Sequence, residues 1–123
     1  MRESFYPALF DELRLAYTGS DAYTMALTLD KWLTKLVLER HGIDTPRGQL
    51  VTQQNLSKVC EGGPRLAFPV IIKPNYEGSS KGIGDHSVVH NMEDLGPTLK
   101  SSIKAFPEGV LVEEYIVGSD VAK

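Results

Sequence analysis

Hydrophobic positions recur along this chain in two rhythms. In DAYTMALTLDKWLTKLVLERHG, from Asp21 to Gly42, residues Ala26, Leu27, Leu29, Leu33, Leu36, Val37 and Leu38 return at helical spacing. This predicts an amphipathic helix, or two in series, capped by Ser20 or Asp21 and closed at Gly42. After Pro46 the pattern tightens toward Leu50 and Val51, a short strand, and Asn55 is placed to cap a brief helix running to Cys60. The run FPVIIKP is β-branched and continuous rather than alternating, which predicts a strand covered on both faces. His86 to His90 reads as a further strand, Asn91 as the cap of a helix through MEDLGPTLKSSIKAF, and Val110 to Ile116 as the last strand. The order α, β, short α, β, loop, β, α, β predicts an α/β (α+β) fold in which helices pack on a sheet.

Composition narrows this picture without redirecting it. A chain of 123 residues carries one core. With 41% hydrophobic and 24% charged residues and a formal charge of -3, it is a globular chain without the basic stripe that nucleic acid requires. The single cysteine, Cys60, precludes an internal disulfide and fits a reducing compartment. The opening MRESFYPALF has neither a basic segment followed by an apolar one nor a long apolar span. The expectation is a cytoplasmic chain with no export signal or membrane anchor.

The candidate chemistry lies where FPVIIKP ends. Lys73 opens into NYEGSSKGIG, a loop whose backbone N–H groups and hydroxyls suit an anion such as polyphosphate, with the ammonium supplying charge. The pattern GxxxxGK[ST] is absent, and Gly78, Gly82 and Gly84 lack the spacing of GxGxxG. Read alone, the loop is first of all a plain hairpin, with glycines for turn geometry and solvated lysines. In VLVEEYIVGSD, Glu113 and Glu114 interrupt an apolar run, and strand alternation sends them to opposite faces. One can face a cleft, where a strand edge beside Ile116 suits a flat heterocycle. The plainer reading is an edge strand guarded by charges.

Three segments taken together, YTGSDAYTMALTLDKWLTK, PVIIKPNYEGSSKGI and VLVEEYIVGSDV, resemble the D-alanine:D-alanine ligase branch of the ATP-grasp superfamily, from about Pro7 to Val121. The resemblance implies that Lys31 and Lys73 hold ATP phosphates. It implies that Gly78, Ser79, Ser80 and Gly82 form a loop closing over the terminal phosphates, with Ser79 also facing the amino-acid substrate. It places Glu113, with Glu114, Tyr115 and Ile116, along adenine, and Asp120 at the ribose hydroxyls. The implied chemistry is activation of a carboxylate to an acyl phosphate and attack by an amine, with ATP and Mg2+, in peptidoglycan synthesis. The family's magnesium-binding acids and its intermediate-stabilising arginine have no counterparts here. Residues 1–19 resemble the last helix and exit strand of the family's N-terminal domain, and 20–123 its central ATP-binding subdomain.

The resemblance carries further expectations: that the chain is a ligase fragment inactive by itself, with a non-catalytic nucleotide-binding module as the alternative, and that surface exposed by truncation, including the Val110 to Val117 segment, supports dimerisation or strand exchange. Lys81 stands where D-alanine ligases usually carry a small apolar residue, which leaves other amino-acid substrates open. His41 reads as a helix-end residue, His86 and His90 as strand residues too far apart to share a metal, and Trp32 as a packing aromatic. Tyr76 and Glu77 read as solvated.

Overall fold

A computed structural model describes residues 2–118 of the chain. Five helices and four strands appear in the order α1 (Arg2–Glu12), α2 (Ala22–Leu29), α3 (Lys31–Arg40), β1 (Gly48–Val51), α4 (Leu56–Gly62), β2 (Val70–Pro74), β3 (Val88–Val89), α5 (Met92–Ala105) and β4 (Val110–Glu114). The long helical pattern resolves into two helices because Asp30 leaves helical geometry, with φ -79° and ψ 94°, and its carboxylate accepts the Leu33 N–H to start α3. Asp21 caps α2 in the same way, accepting the Thr24 N–H at 2.7 Å. Helix α3 stops at Gly42, whose φ of 71° is the left-handed conformation that glycine adopts at helix ends. The exit strand expected before Ser20 is absent. Residues 13–19 instead fold back on α1, with the Phe10 and Tyr17 rings 5.5 Å apart and the Tyr17 hydroxyl donating to Asp11.

The sheet is wholly antiparallel, in the spatial order β1-β4-β2-β3. Strand β4 is therefore central, which corrects the edge-strand reading of VLVEEYIVGSD. Both of its backbone edges are already paired, Gly48 standing opposite Glu113 on one side and Ile71 opposite Glu113 on the other. It also ends at Glu114, so Tyr115 and Ile116 lie beyond the ladder and are exposed.

Helices α4 and α5 cover one face. Val51, Val70, Ile72, Val89, Val110 and Val112 meet Leu56, Val59, Leu95, Leu99 and Ile103 there, with Cys60 packed at the margin. Contrary to the two-faced burial expected of FPVIIKP, burial along β2 alternates, and Ile71 and Lys73 are only partly covered. The reason lies with α2 and α3. Helix α2 packs against α1 and α3, and α3 packs on the sheet chiefly at β1, reaching β4 and the end of β2 through single side chains. No residue of α2 is buried, Leu33 and Leu36 of α3 are exposed, and the buried residue of α3 is a lysine, Lys35.

Two local expectations also change. The strand from His86 to His90 shrinks to Val88–Val89 because Ser87 closes a 3-10 turn over Asp85–Ser87, its N–H bonding the Gly84 carbonyl and its hydroxyl accepting the Gly84 N–H. Asn55 does not cap α4. Its side chain accepts the Thr52 N–H and donates to the Leu50 carbonyl, binding the chain after β1 to the strand's end. Asn91 does cap α5, accepting the Asp94 N–H at 3.0 Å.

Candidate functional site

The open face of the sheet carries the site, and a buried asparagine assembles it. Asn75, the first residue after β2, is fully buried. Its amide oxygen accepts the Trp32 N–H at 2.8 Å and its amide nitrogen donates to the Asp30 carboxylate at 2.8 Å, while its own carbonyl accepts the Lys31 N–H at 3.2 Å. The end of β2 is thereby fastened to the first turn of α3. Without Asn75 the opening N–H groups of α3 would lack a partner from the sheet.

This junction brings together the two lysines singled out from the sequence. Lys31 leaves the start of α3 and donates to the backbone carbonyls of Asn75 and Glu77; Lys73, near the end of β2, pairs with Glu113 on β4. Burial, and then the positive charge of Lys73, lower the pKa of Lys31 below the ordinary lysine value. The two ammonium groups thus occupy one electrostatic neighbourhood and oppose each other in it.

Glu113 stands at the centre of a larger arrangement. One carboxylate oxygen takes Lys73, and the other takes Lys35 at 3.1 Å, so a buried acid is held between two lysines from different elements. The side chains of Lys35 and Glu113 are 7% and 8% exposed, so the pair is shielded from bulk water. The path for Lys35 is opened by Gly48 on β1, where a Cβ would lie 2.9 Å from the lysine Cε. Two ammonium groups therefore flank one buried carboxylate, and the ammonium of Lys31, held by loop carbonyls, lies close enough to feel both Lys73 and Glu113, a cluster of donors suited to an anion at the mouth of the cleft.

The glycine loop forms the rim. Ser79 and Ser80 take φ values of 52° and 56°, and the Lys81 N–H closes the turn on the Gly78 carbonyl. Two consecutive non-glycine residues in left-handed geometry mark a primed turn held under strain. Gly82, at φ 78°, lets the loop return against Pro74 and Phe106, where a Cβ would lie 2.7 Å from each side chain. Both serines are exposed at the tip, and a Cβ at Gly78 would lie 2.7 Å from a Glu3 carboxylate oxygen of α1. Lys81 pairs with the Glu77 carboxylate at 3.1 Å, so Glu77 is not simply solvated: its carbonyl holds Lys31 and its acid holds Lys81.

Glu113 and Glu114 face opposite ways, as alternation requires. Glu114 accepts the Arg47 N–H at 3.0 Å at the rim of the helix-covered face, away from the lysines. The Tyr115 N–H bonds the Pro69 carbonyl, and Ile116 is 66% exposed. Asp120 lies outside the described residues. Lys35, Asn75 and Asp30 do not stand out in the sequence. The available signal for Lys35 is its position four residues after Lys31, on the same helical face. Among the described residues no three His, Cys, Asp or Glu side chains gather as a metal site, and no helix is long and apolar enough to cross a membrane.

An antiparallel sheet backed by two helices, with lysines on its open face and a glycine loop at its rim, is of the ATP-grasp class, and solved structures bear this out. The D-alanine–D-alanine ligase of Helicobacter pylori superposes with a TM-score of 0.79 at 29% identity, covering 94% of this chain and 34% of that one. The biotin carboxylase domain of Hydrogenobacter thermophilus 2-oxoglutarate carboxylase, solved with MgADP, shares the fold at 24% identity, with a TM-score of 0.75 over 92% of this chain and 25% of that one. Within the class, the family model described as D-ala D-ala ligase C-terminus matches residues 37–122, and the chain belongs to that family. The D-alanine–D-alanine ligase of Halorhodospira halophila is 37% identical over 112 residues, 91% of this chain and 34% of the relative. An uncharacterised protein, y4sG of Sinorhizobium fredii, is 30% identical over 98% of this chain and 33% of its own length. The chain thus spans about a third of the length of the curated relatives it matches.

Proposed function

We propose that the chain is the nucleotide-binding part of an ATP-dependent ligase of the D-alanine:D-alanine type, which joins the carboxylate of one amino acid to the amine of another. The observation that carries the reading is the convergence of Lys31 and Lys73, from α3 and β2, at one corner of the site. In this reading residues 20–123 are the central ATP-binding unit and residues 1–19 the end of a preceding substrate domain. The enzyme works in the cytoplasm with magnesium and serves cell-wall synthesis.

The triphosphate lies across Lys31 and Lys73, which neutralise charge and hold the terminal phosphate in line with an incoming carboxylate. Gly78, Ser79, Ser80 and Gly82 close over it and exclude water, Ser79 facing the amino acid. The phosphoryl group moves to the carboxylate oxygen as ADP departs. An amine then attacks the acyl carbon, phosphate leaves, and the amide remains. The backbone from Glu113 through Glu114 and Tyr115 to Ile116 borders the adenine, and Asp120 reaches the ribose. The lysines fit phosphate, whereas the described residues hold no acid cluster for magnesium. The side chain of Lys81 is 60% exposed and tied to Glu77, so its charge lies at the rim rather than among the phosphate-facing lysines.

Calorimetric titration with a non-hydrolysable ATP analogue, with and without magnesium, tests the reading. Saturable binding that falls at least about tenfold in Lys73→Ala supports it, since charge-assisted phosphate contacts carry energies of that order. Absence of binding to the unaltered chain, or equal binding by the variant, overturns it.

A further inference from the structure

The position of Lys35 makes it more than a structural cation, provided that Lys73 holds a nucleotide phosphate as proposed for this site. Glu113 is 6% exposed and has two lysine partners, one on each carboxylate oxygen. Of the two, Lys73 is the more exposed, at 22% of its side chain, and is the one that turns toward phosphate. When it does so, Glu113 loses one counter-charge inside a site from which water is being excluded. A buried carboxylate without a counter-ion is strongly disfavoured, and it answers by taking a proton or by holding its partner back.

We infer that Lys35 is a positioning residue that keeps Glu113 compensated while Lys73 moves between the acid and the nucleotide phosphates. Its geometry suits a partner that stays. Lys35 is 7% exposed in its side chain, reaches Glu113 from α3 by passing over Gly48, and bonds the oxygen that Lys73 leaves alone. It does not approach the loop carbonyls that hold Lys31. The other charged groups facing this acid are Lys73 from β2 and, farther off, Lys31 from α3; β1 presents the uncharged Gly48. The exchange requires no net proton transfer at Glu113, because one positive charge always remains beside it.

The decisive quantity is the number of protons taken up when the full chain binds a non-hydrolysable ATP analogue, measured by calorimetry near neutral pH in buffers of different ionisation enthalpy. Lys35→Met is expected to weaken binding at least about tenfold and to add up to about one proton per analogue bound, relative to the unaltered chain, as Glu113 protonates. Lys35→Arg, which keeps the charge, restores the unaltered proton count. If Lys35→Met proves too unstable to titrate, Lys35→Gln, which keeps a polar contact to Glu113 without the charge, carries the test, with the same loss of affinity and the same added proton expected. A Lys35→Met or Lys35→Gln chain that binds with unaltered affinity and proton count overturns the role of Lys35 alone. An unaltered chain that takes up no analogue overturns the nucleotide reading and this inference with it.

Discussion

Replacing Asn75 with alanine removes the side chain that ties β2 to α3, and its cost comes from the bonds it makes. Two hydrogen bonds of 2.8 Å disappear, one from the Trp32 N–H and one to the Asp30 carboxylate. Each contributes about 0.5–1.5 kcal/mol net, and a half-buried N–H left without a partner adds a further desolvation cost of about 1–3 kcal/mol. The expected loss is about 2–6 kcal/mol, which lowers Tm by roughly 10 °C or more in a chain of this size. Because the same residue aims Lys31, analogue binding falls as well, by more than an exposed control such as Gln53→Ala produces. Differential scanning calorimetry and titration of the same preparation measure both effects. A Tm within about 2 °C of the unaltered chain refutes the reasoning, since no single buried bond at this junction is worth so little.

Gly82→Ala places a Cβ 2.7 Å from both Pro74 and Phe106 at a positive φ, so a loss of about 2–4 kcal/mol and faster proteolysis within residues 75–84 are expected; unchanged cleavage would show the loop to be free of that contact. Leu99, fully buried between α5 and the sheet, should cost about 2–5 kcal/mol as alanine, read from a urea unfolding midpoint. The lowered pKa of Lys31 means that the folded chain releases this proton before the unfolded chain does. In the window below the ordinary lysine value of 10.5 the unfolded state then binds more protons, and this group's contribution makes stability rise with pH there. Phosphate needs the charged form, so analogue affinity is full below the lowered value and falls as pH rises through it. Lys31→Arg should carry that fall to higher pH, and coincident profiles would show that Lys31 is not the titrating group.

The local capping chemistry of Asp21 and Asn91 and the position of each major element after Ser20 were legible because they depend on neighbours in sequence; α1 was legible only through the family resemblance. The site was legible only in part. Lys73 and the glycine loop stand out because they follow an apolar run, whereas Lys31 is found through the family resemblance. Lys35 and Asn75 do not, because their importance comes from where separate elements meet: a lysine in a helix reads as a solvated face, and an asparagine after a strand reads as a turn. The centrality of β4 was hidden for the same reason. Two glutamates in a strand argue for an edge until the lysines that neutralise one of them are placed, and these come from α3 and β2. The apolar positions of α2 and α3 misled in the other direction, since periodicity marks an apolar face without saying whether anything covers it.

The strand order sets a timetable for folding. Strands β1 and β2 do not pair with each other; each pairs with β4, the last of the described strands, and partners such as Gly48 and Glu113 lie 65 residues apart in sequence. During synthesis β1 has no ladder partner, and β2 only the short β3, until Val110–Glu114 has left the ribosome. The sheet then closes in one late event that depends on distant rather than local encounters. Until that moment the nascent chain displays open strand edges, which makes the pace of synthesis between β2 and β4 a determinant of yield.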